Sequence, residues 1–323
     1  MKPLLPWRPK PQVDELLSSW LLRVAHGNSP KLQTFSHLIW PGRQLWNRDL
    51  DAMAPRDVVN DLARLTGTGE NEAWATTLYS LEGILYERIR ITNASRWILP
   101  LGIYHRTRRR GGQQWCAICL STDRQAYYRK NWRLAIVSTC SKHGIVLADR
   151  CIDCGSPAVP HQGLDPCCHV CGSDRRSYPH VIADSKALQL EHNFREILAG
   201  RAHPPEAFSN IYPLAFFNLV RQILSIVTAN PRAQRLRETV CRHNGGDPSE
   251  PTFEGIISAP EFLSSSERHR MMAIVAQLLD GWPYKFVALC AEAGMWRSWA
   301  LRGDRSSIPF EYTTVVDRYL HGT

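Results

Sequence analysis

Apolar side chains recur at helical spacing through most of the first 85 residues. These stripes predict helices over residues 14–26, 29–39, 55–67 and 71–85. Gly27 ends the first helix, and Ser29 and Pro30 suit the N-cap and first turn of the second. Two short helices joined by a tight turn are typical of a helix-turn-helix, and equally of an ordinary helical bundle.

The same periodicity returns in the last third of the chain. It predicts helices over residues 184–199, 213–229, 232–242 and 266–279, and a pair over residues 286–293 and 295–302. Gly294 separates that last pair, which is a second candidate helix-turn-helix with Trp296, Arg297 and Arg302 facing outward. Trp296 and Trp299 fit a hydrophobic core equally well.

The middle of the chain lacks helical periodicity, which indicates a different kind of module. We therefore predict a mainly α protein with a small β content. An N-terminal helical, helix-turn-helix-like module would span residues 1–112, a tandem zinc-ribbon or zinc-finger module residues 113–180, and a C-terminal helical module residues 181–323.

Cysteines in that middle region follow the spacing of two metal sites. Two close pairs, Cys116 with Cys119 and Cys140 with His143, would form the first site. The second would use Cys151, Cys154, Cys168 and Cys171, although Cys167 could replace Cys168. Each four-ligand set suits a tetrahedral structural zinc ion, so we predict two Zn²⁺ per chain.

Disulfide bonds are the alternative use of these cysteines. A secreted disulfide scaffold is usually short, whereas this chain has 323 residues. We see no apolar signal segment after Met1 and no apolar run long enough to span a membrane. We therefore expect a cytoplasmic protein with reduced thiols, in which Cys241 and Cys290 are small buried hydrophobic residues.

Positive charge is concentrated around the first metal motif. The chain has a net charge of +9, and residues 102–150 alone contain ten Lys or Arg against two acids, Asp123 and Asp149. This patch indicates a polyanionic partner, most simply nucleic acid, or else a solvated surface. The candidate contact residues are Arg106, Arg108, Arg109, Arg110, Arg129, Lys130 and Arg133. We expect Trp132 to pack, and Arg129, Lys130 and Arg133 to face outward.

Several sequence pieces together resemble the TniQ family of transposition target-selection proteins, which is related to TnsD. The matching pieces are Pro9-Lys10-Pro11, residues 15–23 (ELLSSWLLR), residues 116–120 (CAICL), residues 127–135 (YYRKNWRLA), residues 140–144 (CSKHG) and residues 151–155 (CIDCG). The resemblance covers about residues 5–175, and we recognise no motif beyond residue 180.

The resemblance implies a helix-turn-helix in the N-terminal module and a dimeric adaptor in DNA transposition. TniQ-like proteins connect a target-recognising component to an AAA+ transposition regulator, and in CRISPR-associated transposons the recogniser is an RNA-guided complex. The alternative is a stand-alone zinc-containing protein that binds a specific DNA sequence. An enzyme is the least favoured class, because the sequence contains no H-E-x-x-H motif, no P-loop and no convincing catalytic triad.

Overall fold

The computed structural model describes residues 4–29, 31–90, 95–105, 107–162, 166–229, 232–245, 259–303 and 305–320. These residues include thirteen α-helices and one two-stranded sheet, so the prediction of a mainly α chain with a small β content is confirmed. The chain divides into two compact units, Met1–Val181 and Ile182–Thr323, which we call the N-terminal and C-terminal units. No helix among the described residues is long and apolar enough to cross a membrane.

The N-terminal unit combines six helices with a small hairpin. The helices are α1 (Leu17–Asn28), α2 (Leu32–Ile39), α3 (Leu50–Met53), α4 (Arg56–Thr66), α5 (Glu70–Ala75) and α6 (Ala117–Thr122). Single 3-10 turns cover Leu45–Asn47, Leu78–Leu81, Lys130–Arg133, Pro160–Gln162 and Arg175–Ser177. Strands β1 (Ile103–Tyr104) and β2 (Thr107–Arg108) pair antiparallel, with Ile103 opposite Arg108.

The core of the helical part forms around α1. Its apolar stripe is buried against side chains of α2 and α4, among them Phe35, Val58 and Leu62. Trp20 in this stripe is fully buried, and its indole N–H donates to the carbonyl of Pro9 at 2.8 Å. Burial of each large apolar side chain of the stripe contributes about 1.5–3 kcal/mol to stability, and this burial holds the short helices together.

Two predicted helix boundaries in this unit are wrong for tertiary reasons. Helix α1 begins three residues later than predicted, because Asp14 has a positive φ of 59° and Glu15 pairs with Arg129 as an isolated β-bridge. Residues 71–85 do not form one helix. The hydroxyls of Thr76 and Thr77 bind the carbonyls of Ala73 and Trp74 at 2.6 and 2.7 Å, and the helix ends there.

The C-terminal unit is a helical assembly built on a buried central helix. Its helices are α7 (Ser185–Leu198), α8 (Pro213–Thr228), α9 (Ala233–His243), α10 (Ser265–Leu279), α11 (Tyr284–Glu292), α12 (Arg297–Ala300) and α13 (Phe310–Tyr319), with 3-10 turns at Glu206–Phe208, Pro260–Phe262 and Arg305–Ser307. Phe216 and Phe217 of α8 pack on Phe194 of α7, with ring centroids 6.0 and 5.7 Å away. Ser264 and Glu267 form a capping box that starts α10.

The predicted second helix-turn-helix differs from the structure. Helix α12, which follows the turn at Gly294, has only four residues. A single turn cannot present the multi-turn face that a recognition helix needs.

Candidate metal centres

The first cluster brings together the four ligand atoms of the two close pairs, Cys116 with Cys119 and Cys140 with His143. The Nδ1 atom of His143 lies 3.4 Å from the sulfurs of Cys116 and Cys119 and 3.5 Å from that of Cys140. The sulfurs of Cys119 and Cys140 are 3.6 Å apart. All three cysteines are buried, and His143 is half-buried.

These separations are the edges of a tetrahedron of the right size for zinc. Zn–S and Zn–N bonds of ordinary length would place two sulfurs about 3.8 Å apart, and a sulfur and a nitrogen about 3.6 Å apart. The observed distances match both values to within a few tenths of an ångström. The donor set therefore fits a closed, four-coordinate ion.

The second cluster contains four sulfurs. Cys151 and Cys171 lie 3.6 Å apart, and so do Cys154 and Cys168. Cys168 rather than Cys167 brings its sulfur into this group. Cys154 and Cys171 are exposed, so this cluster is far more open to solvent than the first.

A glycine in the left-handed conformation follows three of the four close ligand pairs. Gly144, Gly155 and Gly172 have φ values of 61°, 70° and 77°. Their amides each donate at 2.9 Å to the carbonyl of the residue that opens the pair, such as Cys151 for Gly155. A positive φ is strained for other residues, so glycine closes these knuckles at little cost. The remaining pair is held differently, because Cys116 is the N-cap of α6.

The pKa values of the thiols within each cluster move in opposite directions. Hydrogen bonds with Cys116 and Cys140 raise the pKa of Cys119, and although the Ser173 amide opposes it, burial and the neighbouring thiols raise the pKa of Cys171 to about 12. Hydrogen bonds with Cys116 and Cys119 hold the pKa of the Cys140 thiol well below its usual range. In the second cluster burial opposes ionisation of Cys168, but the Ser156 hydroxyl and nearby backbone amides lower its pKa to about 5.

Helix α1 is joined to the first metal segment through a buried ion pair. The guanidinium of Arg23 donates to both carboxylate oxygens of Glu15, at 2.8 and 2.7 Å, and to the side chain of Gln125 at 3.0 Å. The hydroxyl of Ser19 donates to Glu15 and accepts the amide N–H of Tyr128, both at 2.9 Å. These polar residues of the first motif therefore bind residues 125–128, next to the metal cluster.

Arg133 does not face outward, contrary to our prediction. Its side chain is 0% exposed and forms salt bridges with Asp49 at 2.5 Å and Asp51 at 3.1 Å. The charge of Arg133 overcomes burial and lowers the pKa of Asp49, whereas burial raises the pKa of Asp51. Ser18 completes the network by donating its amide and its hydroxyl to Asp51 at 2.8 and 2.9 Å. Arg133 is therefore a core residue.

Arg129 and Lys130 are also engaged inside the unit. The guanidinium of Arg129 donates to both carboxylate oxygens of Asp123 and lies over the rings of Tyr127 and Trp132, 4.2 and 4.6 Å from their centroids. The ammonium of Lys130 donates at 2.7 Å to the carbonyl of Ala75 and, at the same distance, to the hydroxyl of Ser80. Both side chains are half-buried, and Trp132 is buried, as predicted.

The arginine run near the hairpin divides into buried and exposed members. Arg108 is only 8% exposed, and burial together with repulsion from Arg133 lowers its pKa to about 10. Arg109 and Arg110 are exposed, and the guanidinium of Arg109 stacks 4.6 Å from the ring centroid of Tyr104. Arg106 lies outside the described residues.

The first cluster and the helices that support it coincide with a known sequence family. Residues 6–147 match the family model TniQ. This segment, a little under half of the chain, is therefore similar to the TniQ family, as the motifs predicted. The match includes all four residues of the first cluster and ends before Cys151. No curated protein matches the chain.

Sequence reasoning missed several residues that build the TniQ segment. Asp49 and Asp51 lie far along the chain from Arg133, and no local pattern reveals that pairing. The knuckle glycines did leave a signal, because Gly144, Gly155 and Gly172 each directly follow the second ligand of a C-x2-C or C-x2-H pair.

Proposed function

We propose that this chain is a non-catalytic adaptor in bacterial DNA transposition, acting in the cytoplasm. It would link a target-site recogniser, such as an RNA-guided CRISPR effector complex, to the AAA+ transposition regulator. The observation that carries the proposal is the TniQ match over residues 6–147. The structure supports it, since the matched residues Glu15, Arg23 and Tyr128 join the helices to the metal segment.

We propose that both clusters hold Zn²⁺ and that the ions are structural. Each cluster offers four protein atoms within 4.8 Å of one another, which would occupy all four coordination positions of a tetrahedral ion. A catalytic zinc keeps one position for water or substrate. The ions would therefore hold the knuckles in place and supply no reaction chemistry.

The contact with nucleic acid or with a nucleoprotein partner is proposed to lie at the hairpin. Arg109 and Arg110 are exposed there, beside Tyr104, which is 57% exposed. A guanidinium stacked on a ring keeps its N–H edges available for phosphate oxygens. Arg108 and Arg133 are excluded from this surface by their burial.

Helices α1 and α2 are proposed to act as a helix-turn-helix. Leu32–Ile39 follows α1 after a three-residue connection, and Gln33, Thr34, His37 and Leu38 of α2 are exposed. Such a face can enter a DNA groove or dock on the recogniser.

Purification of the tagged full-length chain from its bacterial host tests the adaptor role. We expect the AAA+ regulator and the recogniser to copurify, and mass spectrometry would identify them. An Arg109→Gln, Arg110→Gln variant should bind the nucleic-acid-containing complex more weakly. Its slope of log affinity against log salt should be shallower by the amount expected for about two lost phosphate contacts. Arg64→Gln is the control for loss of a surface charge outside the hairpin, since Arg64 is exposed and paired with Asp61.

The alternative, a stand-alone sequence-specific DNA-binding protein, makes a different prediction. The chain alone would then protect one defined DNA sequence in a footprinting assay, and no transposition protein would copurify. That combination of results would overturn the adaptor proposal.

A further inference from the structure

Two arginines and two tryptophans of the C-terminal unit stack on one another at its surface. The guanidinium of Arg232 lies 4.8 Å from the ring centroid of Trp296 and 5.5 Å from that of Trp299. The guanidinium of Arg302 lies 4.5 Å from the ring of Trp299. Trp296 is 45% exposed and Arg232 is exposed. We call these four residues the arginine–tryptophan cluster.

The backbone under the cluster is held firmly by the core. The buried amide of Gln222 on α8 donates to the carbonyls of Ala300 and Arg302, at 2.7 and 3.0 Å. The buried hydroxyl of Tyr312 donates to the same Ala300 carbonyl at 3.0 Å. The cluster therefore stands on a fixed support, and a ligand would order little additional chain on binding.

Among the described residues, no carboxylate neutralises the arginines of the cluster, whereas five other arginines of this unit form ion pairs. Ion pairs hold Arg195 to Glu191, Arg201 to Glu196, Arg221 to Glu261, Arg242 to Glu292 and Arg297 to Asp317. Within the part of the chain that the structure describes, neither Arg232 nor Arg302 has a carboxylate partner. Their orientation comes from the indole rings. Arg232 is exposed, whereas Arg302 is half-buried and its Nη1 atom is enclosed, so the charge of Arg232 is the more available to an external anion.

We propose that the arginine–tryptophan cluster binds a strand of nucleic acid. Guanidiniums stacked on rings keep their in-plane N–H groups for phosphate oxygens, and the exposed part of Trp296 offers an apolar surface for a base or sugar. Exposed Arg235, three residues beyond Arg232 in the sequence, adds to the positive charge of this region. This site goes beyond the proposed hairpin contact, because all its residues lie outside the TniQ segment.

Fluorescence anisotropy of the zinc-loaded full-length chain tests the proposal. The probes are a labelled single-stranded DNA oligonucleotide and the duplex of the same sequence, each titrated over a range of salt concentrations. An Arg232→Gln, Arg302→Gln variant should bind more weakly, and its slope of log affinity against log salt should be shallower by about 1.5. Trp296→Ala should weaken single-strand binding by about tenfold, because it removes a stacking surface.

Arg201→Gln is the matched control, because Arg201 is exposed in the same unit but is already paired with Glu196. A greater loss with the single strand than with the duplex would identify stacked bases as the ligand, and equal losses would identify the phosphate backbone. Both results support the proposal. Circular dichroism checks folding. If the double variant unfolds, Trp296→Ala and the single variant Arg232→Gln decide the question.

The proposal would be overturned if the cluster variants bound both DNAs with the same affinity and the same salt slope as Arg201→Gln. A cluster that binds polyglutamate more tightly than DNA would also overturn it, because the ligand would then be an acidic protein. The hairpin variant Arg109→Gln, Arg110→Gln is measured in parallel. If one double variant loses DNA affinity and the other does not, the two sites bind DNA independently.

Discussion

At the scale of single residues, arginine has two distinct roles in the N-terminal unit. Arg133 is fully buried between two carboxylates, whereas Arg109 is exposed on the ring of Tyr104. Both residues lie in the same basic stretch of sequence. Their environments therefore predict opposite consequences of losing the charge.

Arg133→Gln should destabilise the protein by about 3–5 kcal/mol, because Asp49 and Asp51 lose their buried cationic partner. Arg109→Gln removes the same charge from the surface and should change stability by less than about 0.5 kcal/mol. Urea unfolding of the two variants measures the difference. Equal stabilities would show that Arg133 is not a core residue in solution.

His269 should make the C-terminal unit sensitive to mild acid. Its Nε2 accepts the amide N–H of Asp184 at 2.9 Å, and burial lowers its pKa although Glu191 and Asp184 oppose that shift. Between the lowered pKa and the ordinary value of about 6.5, the unfolded chain binds a proton that the folded chain does not. Stability is therefore full above about pH 6.5 and falls as the pH drops toward the folded-state pKa.

Thermal unfolding at pH 7.5 and pH 5.5 measures this effect. His269→Gln keeps a hydrogen-bond acceptor without the titration, so its melting temperature should fall less between the two pH values. His192→Gln, at an exposed position of α7, should behave like the unaltered chain. Release of metal in acid affects all three proteins equally, so the differences between their melting temperatures do not contain that effect. Identical pH profiles for all three would contradict the prediction.

At the scale of elements, the two metal clusters differ in how the chain covers them. The first cluster is built from buried cysteines and is joined to α1 through the Glu15–Arg23 pair. The second has two exposed cysteines, and its pairs end in simple glycine turns. The first cluster therefore belongs to the core, and the second is a more separate knuckle.

We expect a chelator to remove zinc from the second cluster first. Solvent reaches Cys154 and Cys171, whereas the first site must open before its ion can leave. Cys154→Ser should retain about one zinc ion per chain, and Cys119→Ser should lose the fold of the TniQ segment. Absorbance of a zinc-sensitive dye follows the release, and circular dichroism reports the fold. Folded protein without zinc would contradict the assignment of the metal.

At the scale of the whole molecule, the chain consists of a TniQ-containing unit and a helical unit that the family match does not cover. The first would connect the transposition partners, and the second would add the arginine–tryptophan cluster. Both units also expose large apolar side chains. Leu38 is 71% exposed in the N-terminal unit, and Phe310 is 80% exposed in the C-terminal unit.

We predict that the chain forms a homodimer in which the N-terminal and C-terminal modules pair head to tail with twofold symmetry. Exposed apolar residues favour such contacts, since pairing removes them from water. Light scattering at tens of micromolar should give about twice the chain mass, and Phe310→Ser should reduce it. A single monomeric species over this range would argue against the dimer.

The sequence by itself determined the features that depend on near neighbours along the chain. Helical periodicity predicted α8 as a buried helix, because residues three and four apart share a face. Close pairs of cysteine and histidine predicted both metal clusters, because a C-x2-C turn can place two ligands on one ion. The combined motifs also indicated the TniQ family.

Only the tertiary structure decided which charged residues are buried. Asp49 and Asp51 reach Arg133 across more than 80 residues of sequence, and Glu15 and Arg23 connect α1 to the segment between the two ligand pairs of the first metal site. Local patterns treat such charges as surface groups, since burial of these arginines depends on carboxylates that lie far away in the sequence. Tertiary contacts also separate buried Arg108 from exposed Arg109, and they bring Arg232 onto the tryptophans of a remote turn.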